Sequence, residues 1–312
     1  MSLSAQRLLK IGSCLLGAVC GASSHSAELN LEFFPGLESH SEEVIRLRGL
    51  ADLYPNTIWF EDPKLETRSL RDEAARIEEL PREITYARVY RLDEAVSAIR
   101  EVIDNPALII DMRYLQSESS GIALASLLNS DRKVASVAAV GDVTVEIKDS
   151  INQRETIALQ RSYPAIVLCN RETAGPFEAI LHALQANGCI IAVGEATAGR
   201  TGYYKQSDTG AWIIAGEIRP SADVSILASG FVPRIEIEAT PESNYLSYHL
   251  FEAGTPIARL LRNDAQKQAP TPKDDDDSDE KEDEDFEPDA VLQRGVDIVA
   301  ALQVLEQLPE NK

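Results

Sequence analysis

Metal-binding and redox residues are scarce in this sequence, which has four histidines and four cysteines among 312 residues. They do not fall at the paired spacings of a zinc site. The aspartate-rich tract lacks the glycine turn and distant glutamate of a calcium loop. No metal and no cofactor is therefore expected. Basic residues are outnumbered 51 to 30, giving a formal net charge of −21, which argues against nucleic acid or an anionic membrane surface as partner. Long apolar runs are also missing. The one near the start, Ile11–Ala22, is too short to span a bilayer.

What precedes and follows that run has the form of an export leader covering residues 1–27. Arg7 and Lys10 supply a basic n-region, and cleavage sites are offered after Ser24, Ser26 or Ala27. Lipid attachment at Cys20 is the alternative, although Val19 before it departs from the usual pattern. The mature chain is expected to be exported, periplasmic or secreted, with no membrane insertion after leader removal. Cys169 and Cys189 would then remain. They fall at the end of one strand and the start of the next, too far apart to bridge, so both are expected as free thiols.

Residues 28–83 read as a helical N-terminal segment, with helices over Ser41–Leu53 and Arg68–Leu80, the second ended by Pro81. Strands then alternate with helices: Ile84–Arg91, Asp93–Asp104, Pro106–Met112 and Ser120–Asn129. That order implies parallel βαβ units. Lys133–Ile147 and Glu155–Gln160 read as further strands, and Tyr203–Lys205 with Ala211–Ile218 as a hairpin turning at Asp208-Thr209-Gly210. The core is expected over residues 84–262. Residues 263–288 form an acidic linker of disordered composition, since between Asp274 and Asp289 stand twelve acidic residues and one lysine. A terminal helix is expected over residues 289–308.

The organising stretch is Tyr163–Gly202. Ala165–Cys169 is a continuous apolar run suited to a buried parallel strand. Pro176 stands at a first helical position, and Phe177, Ile180, Leu181 and Leu184 share one helical face. Asn187-Gly188 closes the helix, and Cys189–Val193 is the next buried strand.

Three segments resemble the tail-specific (C-terminal-processing) serine proteases. They are Asn170-Arg171-Glu172-Thr173-Ala174-Gly175-Pro176-Phe177-Glu178, Gly194-Glu195-Ala196-Thr197-Ala198-Gly199-Arg200-Thr201-Gly202, and Asp111-Met112-Arg113. Gly230–Ile237 is similar to the family's closing strand. The resemblance covers about Ile84–Ile237 and the terminal helix. It implies an α/β, crotonase-like βαβ spiral core with a small helical N-terminal segment, and no room is left for the family's PDZ domain. The family's nucleophilic serine aligns with Gly175 and its general-base lysine with Arg200. Tyr114–Ser120 replaces the Pro-Gly-Gly turn that supplies an oxyanion donor, leaving Gly121 as the nearby candidate.

Glycine has no attacking group, and arginine keeps its proton. The favoured expectation is thus an exported, catalytically inactive protease-like protein that binds peptide or protein. Thr173, Glu178, Gly121, Gly175 and Arg200 are its candidate binding residues. Arg200 either pairs with Glu178 or Glu195 or clamps a carboxylate. Two alternatives stay open. One is an active serine-type peptidase using displaced residues drawn from Thr173, Lys205, Ser119 and Ser120. The other is a scaffold in an envelope complex that docks through the acidic linker and final helix. His40, His182 and His249 are expected to be structural.

Overall fold

The structure is a computed structural model, and it describes residues 42–54, 56–61, 64–65, 72–128, 136–139, 163–221, 223–261 and 288–307. The chain divides into two compact units, Met1–Ile45 and Arg46–Lys312. In the first, only the opening turn of helix α1 (Glu42–Leu53) is described. The leader, the acidic linker, and the segments 140–162 and 66–71 lie outside the described residues.

The second unit is built on a six-stranded sheet. Its members are β2 (Ala75–Leu80), β3 (Ile84–Val89), β4 (Leu108–Asp111), β6 (Ala165–Cys169), β7 (Ile190–Gly194) and β10 (Ile235–Glu236), in the order β10-β7-β6-β4-β3-β2. All neighbours are parallel except β2 and β3. A second, antiparallel sheet places β9 (Trp212–Arg219) between β8 (Gly202–Gln206) on one side and β1 (Ile58–Trp59) and β5 (Ser136–Ala139) on the other. The hairpin read from the sequence is thus present, and β5 accounts for part of the strand expected over Lys133–Ile147.

Side chains of the parallel strands alternate between two cores. Ala87, Val89, Ile110, Val167, Cys169 and Ala192 face helices α2 (Leu92–Val102), α3 (Ile122–Leu128) and α4 (Phe177–Ala186). Tyr86, Ile109, Ile166, Leu168 and Val193 face a 3₁₀ turn (Ile257–Leu260) and the terminal helix α6 (Ala290–Gln307). Burial on both faces explains why these strands are continuously apolar. Each fully buried aliphatic side chain contributes on the order of 1.5–3 kcal/mol. Helix α5 (Pro241–Glu252) is an element not assigned from the sequence.

One expectation is corrected. The helix read over Arg68–Leu80 is, in its last part, strand β2, paired with β3 from Ala75↔Val89 to Leu80↔Ile84. Its charges favoured a helix, but Arg76 and Glu78 alternate with period 2 onto one face. There Arg76 Nη2 donates to the Thr255 carbonyl (3.0 Å), and Glu78 Oε2 accepts the Ile257 N–H (2.9 Å). Tertiary contacts outweigh propensity at this sheet edge.

Candidate functional site

The site stands at the carboxyl ends of β4, β6 and β7, where open α/β sheets bind their ligands. Asn170 ends β6 and braces the turn, its Oδ1 accepting the N–H groups of Tyr114 (3.1 Å) and Glu172 (3.2 Å). The chain then enters α4 through Gly175 and Pro176.

Glu178, one residue into that helix, is wholly buried and gathers both motif turns. Its Oε1 accepts the N–H groups of Gly175 (2.9 Å) and Arg200 (2.8 Å). Its Oε2 accepts the Gly199 N–H (2.7 Å) and the Thr197 hydroxyl. Burial holds its carboxyl above the usual range, against the downward pull of these four donors. Thr197 Oγ1 in turn accepts the Phe231 N–H (2.8 Å), tying in the segment before β10.

Gly175 has φ +145°, in the region that favours glycine. A Cβ built there would lie 2.0 Å from the Ser117 carbonyl oxygen. The segment 115–117 is bound to the turn on both sides, by Ala174 N–H to Leu115 O (2.9 Å) and Ser117 N–H to Ala174 O (3.1 Å). The position aligned with the nucleophile is therefore closed to any side chain in this backbone.

Arg200 meets Glu178 through its backbone N–H, while its guanidinium lies over the Trp59 ring, 4.6 Å from the centroid. Glu195, the other acid expected beside it, pairs with Arg171 (2.6 Å) and accepts from Asn244 Nδ2 (3.0 Å). The stack on Trp59 had no signal in the motif.

The displaced candidates do not assemble. Thr173 is wholly buried; its hydroxyl donates to the Met112 carbonyl (2.9 Å) and accepts the Asn170 N–H (3.1 Å). Lys205 is exposed on β8. Ser119 Oγ donates to Asp93 Oδ1 (2.5 Å) and accepts the Gly121 N–H (3.1 Å), so the proposed oxyanion donor is already engaged. Ser120 is half-buried beside it, with no described contact to the other candidates. His182 packs edge-on against Phe231, and burial lowers its pKa. Cys169 and Cys189 are free thiols. Among the described residues, no group of three or more acidic, histidine or cysteine side chains could hold a metal ion.

Beside Arg200 opens a pocket of about 240 Å³. Lys64, Leu65, Glu118, Pro176, Tyr204 and Trp212 line it, with Gly202 and Arg200 itself. Glu118 Oε1 accepts the Leu65 N–H (2.8 Å), closing one rim. Tyr204 donates its hydroxyl to the Asn56 carbonyl (2.7 Å), which holds β8 against the chain before β1. Trp59 and Trp212 are cross-strand partners in β1 and β9. Pro176, Arg200 and Gly202 lie within the motif segments and Glu118 in the turn at Tyr114–Ser120, but motif reading missed Lys64, Leu65, Trp59, Tyr204 and Trp212, which come from the second sheet and the chain before β2. The sequence did offer one sign: the chain has only two tryptophans, and both are here.

No protein-family model and no curated protein sequence matches the chain. Solved structures similar to it include C-terminal-processing and S41 peptidases. The photosystem II D1 C-terminal processing protease is 18% identical with a TM-score of 0.38, over 56% of this chain and 46% of that one. A putative S41 protease from Bacteroides fragilis is 15% identical with a TM-score of 0.38, over 61% of this chain and 60% of that one. A lipoprotein from Streptococcus agalactiae is 15% identical with a TM-score of 0.39, over 58% of this chain and 70% of that one. The chain thus spans about half the length of the D1 processing protease. Among the described residues, no helix is long and apolar enough to cross a membrane.

Proposed function

We propose that this is an exported protein whose protease-like, crotonase-type core binds a peptide or protein segment without cleaving it. The observation that carries the reading is Gly175. A serine–lysine peptidase needs a hydroxyl and a base within hydrogen-bond reach of each other. Here the nucleophile position has no room for a Cβ, and the base position is a guanidinium stacked on Trp59. The buried, bonded hydroxyl of Thr173 and the exposed Lys205 speak against displaced catalysis. Docking through the final helix, as a scaffold would need, conflicts with the burial of Val291, Leu292 and Val299 in the core.

The test is digestion of casein and a mixed peptide library by rigorously purified protein, read by mass spectrometry. No cleavage is expected from the native chain. None is expected from Gly175→Ser with Arg200→Lys either, because the closed turn remains. Turnover by the native chain that Thr173→Ala abolishes would overturn the proposal.

A further inference from the structure

Helix α5 crosses the carboxyl ends of the parallel strands, and its seat there is costly in three places. We infer that α5 is a lid: it swings as a body between Ile237 and Gly254, is latched shut by Tyr114 and Glu195, and on opening uncovers Asn170 at the end of β6. This goes beyond the peptide-binding reading and does not depend on it.

Placement is the first argument. In the strand order β7-β6-β4, Asn170 follows β6 and so stands between the ends of β7 and β4. Helix α5 touches both flanks. Asn244 Nδ2 donates to Glu195 Oε2 (3.0 Å), just beyond β7. The Tyr248 ring lies 4.7 Å from that of Tyr114, just beyond β4. The helix therefore spans the end of β6, in the region where open α/β sheets take ligands.

Cost is the second. Tyr114 has φ +63°, a left-handed backbone that a bulky residue adopts only under constraint. Asn170 and Asn244 are buried, yet Asn170 Nδ2 and Asn244 Oδ1 have no hydrogen-bond partner among the described residues. Turning either amide over cures nothing. Asn170 Oδ1 already accepts two backbone N–H groups, and Asn244 Nδ2 already donates to a carboxylate. A buried donor and a buried acceptor left without partners each carry a desolvation penalty. Local strain of this kind gathers at clamps and switches.

The weakness of the hold is the third. An ordinary surface helix buries an apolar stripe. Among the described side chains of α5 the most buried are the polar Asn244 and Ser247, while Tyr245, Leu246 and His249 face solvent. Leu250 packs against the core only in part. The flanks, by contrast, are pinned. The Ile237 N–H bonds the Gly194 carbonyl (2.8 Å). On the far side, beyond Gly254 at φ +83°, Arg76 bonds the Thr255 carbonyl (3.0 Å) and Glu78 the Ile257 N–H (2.9 Å). Two fixed points with a lightly seated helix between them make a hinged flap.

Ser247 lies on the inner face, so the thiol introduced by the near-isosteric Ser247→Cys reports opening. The full chain is treated with a maleimide under native conditions, and labelling is followed site by site by mass spectrometry. Cys169, fully buried at the end of β6, is the internal reference for opening of the core itself. Position 247 should label at least about tenfold faster than Cys169, since lids open at far lower free energy than cores. Tyr248→Ala should speed that labelling by roughly two- to tenfold, the worth of one aromatic pair. Tyr245→Ala, on the outer face, should leave it unchanged. Hydrogen exchange in the same samples should leave the amides inside α5 protected, because the helix moves whole. A smaller margin over Cys169, indifference to Tyr248→Ala or an equal response to Tyr245→Ala would overturn the inference. Loss of α5 protection in step with labelling would overturn it too, because the helix would then be unravelling in place.

Discussion

At the scale of single residues, Asp111 is bonded to three side chains and to the Arg113 N–H. It is fully buried and accepts from Tyr86 (2.7 Å), Arg88 (2.8 Å) and Arg113 (2.7 Å). Arg113 reaches on to Asp289 (2.7 Å) at the start of α6. Burial alone would raise the Asp111 carboxyl, but Arg113 and Arg88 bring it down to about 2. A carboxylate whose folded pKa lies below its unfolded value stabilises the fold above the unfolded pKa. That stability is lost as pH falls through the folded one. Acid titration should therefore show Asp111's contribution disappearing between about pH 4 and pH 2. Asp111→Asn should cost about 3–5 kcal/mol in urea denaturation at pH 7, since it leaves two buried guanidinium groups short of charge. A loss below 1 kcal/mol would contradict this account. The Asp111-Met112-Arg113 motif was legible in the sequence. Its partners Arg88 and Asp289 were not, since no local pattern ties residues so far apart in the chain.

Single elements were legible in proportion to their burial. Strands β6 and β7 carry no polar side chain, β4 is apolar up to its last residue, Asp111, and α4 carries a clear helical stripe, so each stood out. Strand β2 did not, because Ala-Arg-Ile-Glu-Glu-Leu has the composition of an exposed helix and declares itself a strand only through β3 and the 254–257 loop. Helix α5 escaped for a related reason, with Tyr245, Leu246 and His249 exposed and no single apolar face. Helix α6 was legible as a helix but not in its fit. At Gly295 an added Cβ would come within 3.1 Å of the Leu168 side chain and 3.5 Å of Ile166. Gly295→Leu is thus expected to overpack this interface and lower stability by about 1–3 kcal/mol. Urea denaturation measures it, and an unchanged midpoint would show that α6 does not press on the sheet there.

For the whole molecule, the parallel βαβ core and the glycine at the position aligned with the nucleophile were legible, because both follow from contiguous motifs; that the turn leaves no room for a Cβ at Gly175 was not, since the blocking Ser117 carbonyl comes from another segment. The sequence did not foretell that the second sheet would bring a tryptophan pair to Arg200, since β1 and β9 are far apart in the chain. The join between the 3₁₀ turn and α6 bears on the chain's architecture in another way. The Asp289 N–H bonds the Leu260 carbonyl at 2.9 Å, so the acidic stretch between them leaves and re-enters the core at one point. A loop closed at its base is nearly indifferent to its own length, with each doubling adding about 0.6 kcal/mol of closure entropy. Replacing residues 262–287 with a neutral linker of half the length should therefore shift unfolding free energy by no more than about 1 kcal/mol. A larger loss would mean that the stretch contributes to the core. A shift that small would leave the composition of the stretch open to drift or selection on grounds independent of folding. The base of that loop is also a ready point at which another domain could be inserted.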